Sequence, residues 1–203
     1  MEFIKLLNKF VGEKDSIIEG LRFLWCIPDE GIFVSNGFCM VRYPYPVKVM
    51  QLINITHTSF YKNDVYLVRP NNDNIREYDV LNNDGDTLDT FHLSPDFTKA
   101  YEYYDNFPIQ RESIIDTVNM YKKVYPKSDN TLISYGGILY NRKVFKNIIS
   151  LFKKLGEKNV KILLKKDQNR LDYMQFVGQN AQVILMSLGS VEYAQLPYDV
   201  IEE

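Results

Sequence analysis

The sequence predicts an α+β protein built from repeated units, each a helix followed by a three-stranded antiparallel meander. Three observations support this fold class. Apolar residues recur at helical spacing near residues 3–11 and again at 144–155. Each of these segments is followed by three short apolar runs, and turn residues separate the runs. The same order of elements therefore occurs twice, although the two copies share little residue-level similarity.

The first unit is predicted at residues 1–50. One face of its helix carries five apolar residues, Phe3, Ile4, Leu7, Phe10 and Val11. Strands are predicted at 20–27, 31–36 and 38–43, and the segment begins with a helix that ends at Gly12. The last two strands are separated by Asn36-Gly37, a pair that tolerates positive φ and favours a tight hairpin. We expect Cys26, Cys39 and Trp25 to lie in the core.

The second unit is predicted at about 119–190. Asn141 is a suitable cap for a helix that ends at Gly156. Strands are predicted at 160–166, 171–177 and 181–188. A shorter helix over 111–125 and one strand over 131–140 precede the main helix. Residues 191–203 are expected to form a frayed tail, with a short partner-binding peptide around Gln195, Leu196 and Tyr198 as the alternative.

An acidic insertion is predicted at about 51–118, between the two units. The two units and the insertion together are predicted to form a single domain over 1–203. Strands are predicted at 47–55 and 64–70, and a hairpin is predicted around Asp84-Gly85. Residues 71–119 contain eleven acidic residues but only three basic ones, Arg76, Lys99 and Arg111.

The charge balance reverses in the second unit, although the net charge of the whole chain is only −2. From Lys122 to Arg170 there are thirteen Lys and Arg residues but only three Asp and Glu residues. A partner responds to this local field more than to the total charge. The candidate residues for holding an anionic partner are those of the basic helix and the segment just after it, together with two lysines of the first helix: Lys5, Lys9, Arg142, Lys143, Lys146, Lys153, Lys154 and Lys158.

Three interpretations of the basic helix remain open. The first is a solvated face that keeps the protein soluble. The second is a helix lying on a membrane surface, and the third is a surface that binds nucleic-acid phosphates. The membrane interpretation is disfavoured because the apolar stripe is needed to cover the adjacent meander. No segment is suited to base recognition, so any DNA binding would involve the backbone without sequence preference and would be sensitive to salt.

The segment "VFKNIISLFKKLGEKNVKILLKKDQNRLDYMQFVGQNAQVILMSL" resembles the closing stretch of a bacterial DNA sliding clamp subunit. In that family a helix ending in Leu-Gly precedes a "V-x-I-x-L" strand, a hairpin and a last strand. Likewise, "GIFVSNGFCMVRY" is similar to the strand, turn and strand of the family, with Asn36-Gly37 as the turn. The resemblance implies a DNA-clamp-like fold of the kind found in the polymerase III beta subunit.

The resemblance also implies a function. It suggests a non-enzymatic protein of DNA replication that binds the phosphate backbone of duplex DNA, contacts a replication protein and forms a homo-oligomer. Clamp subunits contain two or three such domains, whereas one domain is predicted here, so a ring would need several copies. A phage or another mobile element would be a suitable source.

Other functional classes are less well supported by the sequence. The runner-up is a protein-interaction module whose acidic stretch, Asp73–Asp116, docks a basic partner or mimics nucleic acid. A hydrolase built around His57 or His92 ranks third, because no nucleophile-elbow motif accompanies either residue. The two cysteines predict neither a zinc site nor a disulfide framework, and no cofactor is expected. With neither a signal peptide nor an apolar run of about 20 residues, the protein is expected to be cytoplasmic and not membrane-bound.

Overall fold

The structure, a computed structural model, describes residues 6–12, 17, 21, 24–27, 31–43, 66–70, 78–81, 97–165 and 173–201. The chain forms two compact units, Met1–Tyr101 and Glu102–Glu203. The division between them falls inside the segment predicted to be an acidic insertion. A helix, α1 (Phe97–Asp105), spans this division and was not predicted from the sequence.

The first unit contains five antiparallel strands in the order β5-β4-β1-β2-β3. The strands are β1 (Leu24–Ile27), β2 (Gly31–Ser35), β3 (Cys39–Tyr43), β4 (Tyr66–Pro70) and β5 (Tyr78–Leu81). The predicted meander β1-β2-β3 and the strand predicted at 64–70 are confirmed. In the hairpin turn, the side-chain oxygen of Asn36 accepts hydrogen bonds from the N–H groups of Phe38 and Cys39, both at 3.0 Å, and Gly37 has φ 86°.

The core of the first unit consists of apolar residues from the N-terminal segment and the meander. Leu7 and Phe10 are fully buried, and a short 3-10 helix, Asn8–Phe10, follows a helical turn at residues 6 and 7. Trp25 and Cys39 are buried as predicted, whereas the side chain of Cys26 lies outside the described residues. The same is true of the predicted strand at 47–55 and of the hairpin predicted around residues 84 and 85.

The larger sheet of the second unit has the order β11-β10-β9-β6, and all its strands are antiparallel. They are β6 (Ile109–Asp116), β9 (Asn159–Lys165), β10 (Tyr173–Val177) and β11 (Gln182–Met186). The strands predicted from 160 to 188 are therefore confirmed.

The helix predicted over 111–125 is only half correct. Its first part is the strand β6, and only Thr117–Val124 form a helix, α2. β6 pairs with β9 along its length, which satisfies backbone groups that a longer helix would have used internally. The helix begins where the Asp116 carboxylate accepts hydrogen bonds from the N–H groups of Val118 (2.8 Å) and Asn119 (3.0 Å).

The smaller sheet of the second unit has the order β12-β8-β7-β13. Its strands are β7 (Leu132–Tyr135), β8 (Ile138–Asn141), β12 (Gly189–Ser190) and β13 (Tyr198–Ile201). Two predictions are corrected here. The single strand predicted at 131–140 is a hairpin, because Gly136 and Gly137 adopt φ 62° and 81°. The predicted frayed tail contains a strand, β13, that pairs in parallel with β7.

The predicted basic helix is confirmed as α3 (Arg142–Lys154), the longest helix among the described residues. Asn141 caps it by accepting a hydrogen bond from Val144 N–H at 3.1 Å, and Gly156 follows its end with φ 77°. Its apolar stripe is buried, and the Phe176 ring of β10 lies 5.8 Å from Phe145 and 6.1 Å from Phe152. Each such buried side chain contributes about 1.5–3 kcal/mol, so the apolar side of α3 is committed to the core.

Within the described part of the chain, we find no helix that combines the length and the apolar character needed to span a membrane. The same residues contain no group of three or more His, Cys, Asp or Glu side chains arranged to hold a metal ion.

Candidate nucleic-acid interface

Helices α2 and α3 form an antiparallel pair that is hydrogen-bonded at both ends. At one end, the N–H and hydroxyl groups of Thr117 donate to the carbonyl oxygens of Lys158 (2.9 Å) and Glu157 (2.6 Å). At the other end, Nη2 of Arg142 donates to the carbonyl oxygen of Pro126 at 3.2 Å. The start of α2 is thus joined to the segment after α3, and the segment after α2 is joined to the start of α3.

The outer surface of this helix pair is rich in lysine. We call it the lysine face, and it consists of Lys122, Lys123, Lys143, Lys146, Lys153, Lys154 and Lys158. Lys146 is half-buried and the other six are exposed. Each helix ends in two lysines, an arrangement that is favourable near the negative end of the helix dipole. Because the helices are antiparallel, Tyr121, the residue before Lys122, lies beside Lys153, so the two lysine pairs are close to each other along the helix pair.

Acidic side chains add little negative charge to the lysine face. Neither 117–124 nor 142–154 contains Asp or Glu. Asp116 is exposed, and its carboxylate, which caps α2, adds one negative formal charge at the start of that helix. Glu157 is buried, and its carboxylate accepts hydrogen bonds from the N–H groups of Gln179 (2.6 Å) and Asn180 (2.9 Å). The formal charge of the helix pair is therefore strongly positive.

Tyr121 of α2 and Tyr125, the residue just after α2, contact two of these lysines. The rings of Tyr121 and Tyr125 are stacked, with centroids 3.9 Å apart and planes 22° from parallel. Nζ of Lys153 lies 3.7 Å from the centroid of the Tyr121 ring, and Nζ of Lys146 lies 4.6 Å from that of Tyr125. Both distances are typical of cation–π contacts. Desolvation, followed by the hydrogen bond with Tyr125, raises the pKa of the Tyr121 phenol, so this phenol is neutral at physiological pH.

The structure brings together most of the predicted DNA-binding residues. Lys143, Lys146, Lys153, Lys154 and Lys158 all belong to the lysine face. Lys9 is exposed but belongs to the first unit, and Lys5 lies outside the described residues. Sequence reasoning missed Lys122, Lys123 and the tyrosine pair as members of the site. Tyr121 and Tyr125 are four residues apart, across the end of α2, and this spacing is the signal that predicts their contact.

The structure requires a correction for Arg142, because its side chain points into the protein. The residue is only 6% exposed, and its guanidinium pairs with the Asp199 carboxylate of β13 as well as with Pro126. Arg142 therefore fixes the start of α3 to the C-terminal strand. It presents no charge to a partner at the lysine face.

Two other basic residues of the same stretch are also engaged elsewhere. Lys161 on β9 pairs with Glu112 on β6, with Nζ 2.8 Å from the carboxylate. Nζ of the buried Lys165 donates to the carbonyl oxygen of Tyr104 at 2.9 Å and lies 3.4 Å from the Asp105 carboxylate. The two lysines of the sheet therefore pair with groups of the protein itself, which distinguishes them from the lysines of the helix pair.

The chain has the fold of a DNA sliding clamp. Structure comparison finds 63 matching chains. The beta subunit of the DNA polymerase of Streptococcus pyogenes matches with a TM-score of 0.54 and 12% identity, over 93% of this chain and 63% of that one. The DNA polymerase III beta chain of Streptococcus pneumoniae matches with a TM-score of 0.51 and 12% identity, over 96% and 64%. A DNA polymerase sliding clamp from Pseudomonas aeruginosa matches with a TM-score of 0.50 and 8% identity, over 97% of this chain and 63% of that one.

These similarities confirm the predicted α+β, clamp-like fold. The chain spans less than two thirds of the length of each of these three proteins. No protein-family model and no curated protein matches the sequence.

Proposed function

We propose that this protein is a non-enzymatic, clamp-like protein of DNA replication whose lysine face holds the backbone of duplex DNA. The observation that carries the proposal is the antiparallel pair α2–α3, which has six lysines and no acidic residue of its own and is joined by Lys158 from the segment after α3. The clamp fold supports the link to replication, since the similar structures are named as sliding clamps and polymerase beta subunits. We further propose a replication protein as partner and the cytoplasm as location.

Binding would depend on phosphate contacts alone. Lysine ammonium groups neutralise phosphates and release condensed counterions, and each contact contributes about −0.9 to the slope of log K against log salt. If all seven lysines of the face engaged phosphates, the slope would approach about −6, and partial engagement would give about −3. Since base-specific contacts are not part of the proposal, sequence should have little influence on affinity.

Encirclement of DNA would require more than one copy of the chain. Each chain spans less than two thirds of the beta subunits that it resembles. We therefore propose a closed homo-oligomer as the form that retains DNA.

The test is retention of the protein on duplex DNA at low salt after the charges of Lys146, Lys153 and Lys154 are reversed to Glu. We expect retention to be abolished, because the reversal removes three positive charges and adds three negative ones. Unchanged retention would remove the proposal. A matched pair of single variants, Lys153→Gln on α3 and Lys161→Gln on β9, serves as a control. Both variants remove one positive charge, but only the first removes it from the lysine face. Only the first should lower affinity and reduce the salt slope by about 0.9.

The runner-up, an acidic module that docks a basic partner, gains no support from the described residues. Asp105 bonds to Lys165 and Gln175, Glu112 pairs with Lys161, and Asp116 caps α2. Asp84, Asp86 and Asp89, whose neutralisation would test that module, lie outside the described residues, as do His57 and His92.

A further inference from the structure

The tyrosine stack between the helices gives two lysines of the face a defined position. Because the Tyr121 and Tyr125 rings are only 3.9 Å apart, no atom fits between them. The ammonium groups of Lys153 and Lys146 therefore lie on the outer faces of the stack. The order is lysine, tyrosine, tyrosine, lysine, and we call this arrangement the Lys–Tyr column.

The column is supported by the antiparallel geometry of the helix pair. Tyr121 is in the middle of α2 and contacts Lys153 near the end of α3, whereas Tyr125, just after α2, contacts Lys146 in the first half of α3. Lys146 and Lys153 are seven residues apart on α3, so their Cα atoms are separated by about 10.5 Å along the helix axis. The rings thus hold two cationic groups at a fixed separation on the outer surface.

We propose that Tyr121 and Tyr125 are positioning residues that preorganise Lys153 and Lys146 for DNA phosphates. This inference rests on the proposed function of the lysine face. A free lysine side chain loses rotamer freedom when it binds, and that loss weakens binding. A lysine already held over an aromatic ring loses less. The ring occupies one side of each ammonium group, while the remaining N–H donors are available to a phosphate oxygen.

The experiment compares Tyr121→Leu/Tyr125→Leu with Tyr121→Phe/Tyr125→Phe. Leucine keeps apolar bulk and good helix propensity but removes the aromatic faces, whereas phenylalanine keeps the faces and removes only the hydroxyl groups. Duplex DNA affinity is measured over a range of salt concentrations. The ε-methylene protons of Lys146 and Lys153 are followed by NMR in the free protein, because protons above a ring are shifted upfield.

We expect the leucine variant to bind roughly tenfold more weakly, from a loss of about 2- to 10-fold per lysine. Its salt slope should equal that of the wild type, because no charge is removed. Its two lysines should also lose their upfield shifts. The phenylalanine variant should retain both the affinity and the shifts.

The charge-removing variant Lys146→Gln/Lys153→Gln separates this inference from the proposed function. It should lose affinity and reduce the salt slope by about 1.8. If that variant binds DNA like the wild type, or if the wild type does not bind, the proposed function fails and this inference fails with it. If the glutamine variant loses affinity but the leucine variant does not, only the inference is overturned. An equal loss in the phenylalanine and leucine variants would also overturn it, because the hydroxyl groups would then be responsible.

Discussion

The ion pair between Arg142 and Asp199 gives a sharp prediction about the stability of the second unit. Asp199→Ala removes the carboxylate that faces the guanidinium, and it also removes the acceptor of a 2.7 Å hydrogen bond from Nδ2 of Asn130. The Arg142 side chain is only 8% exposed. After the substitution, it keeps the 3.2 Å hydrogen bond to Pro126 as its remaining described contact. A buried cation would thus lose its counter-ion.

The expected loss lies between two limits. Removing one partner from a fully buried ion pair costs about 3–5 kcal/mol, and a hydrogen bond to a charged group contributes about 1.5–3 kcal/mol. The Asp199 side chain is 33% exposed, so water already screens part of the pair. We therefore expect Asp199→Ala to lower the free energy of unfolding by about 2–3 kcal/mol.

Urea unfolding followed by far-UV circular dichroism measures this loss. The only tryptophan, Trp25, belongs to the first unit, so its fluorescence is not a suitable probe of the second. Asp129→Ala is the matched control, since it removes the same charge from an exposed position of the same unit, and it should change stability by less than about 0.5 kcal/mol. Arg142→Met combined with Asp199→Ala should recover most of the loss, because an apolar side chain replaces the unpaired cation.

Two results would refute this reasoning. One is a loss for Asp199→Ala that is no larger than the loss for Asp129→Ala. The other is a double variant that is no more stable than Asp199→Ala alone. Either result would mean that the guanidinium finds other solvation when the carboxylate is removed.

Three further predictions concern the rest of the chain. Burial raises the pKa of the Cys39 thiol. Its stabilising contribution should therefore be complete below about pH 8.5, and above that pH the free energy of unfolding should fall by up to about 1.4 kcal/mol per pH unit. Urea midpoints of the wild type and Cys39→Ala between pH 8 and pH 10 test this, and identical pH slopes would contradict it. Glu157→Ala should cost about 2 kcal/mol in urea unfolding, since two backbone N–H groups lose their acceptor, whereas the exposed Glu192→Ala should be nearly neutral. A closed oligomer is expected to have a solution mass of at least twice 23.9 kDa, and a monomer at all concentrations would make encirclement untenable.

Local sequence patterns predicted α3 and the two meanders well. The apolar stripe of α3, its Asn141 cap and the Gly156 stop all act within a few residues, so they are visible without any tertiary information. The Asn36-Gly37 hairpin is a similar case, because the turn geometry depends on those two residues. The segregation of lysine into 122–170 is likewise a property of the sequence.

Predictions failed where a distant segment decided the outcome. Residues 111–116 have a helical apolar pattern, but pairing with β9 makes them a strand. Residues 198–201 have no strong strand signal, yet β7 provides an edge on which they pair in parallel. Gly136-Gly137 divides a continuous apolar run because its positive φ values form a turn within a sheet.

The sequence by itself determined that the protein has a cationic, amphipathic helix next to an antiparallel meander, because the 3.6-residue and 2-residue periods place side chains on fixed sides. Only the tertiary structure decided which cations face outward. Arg142 and Lys153 are both basic residues of α3, but the first is turned inward by Asp199 and the second rests on Tyr121. Both partners belong to other elements, and local periodicity contains no information about contacts between residues far apart in the chain.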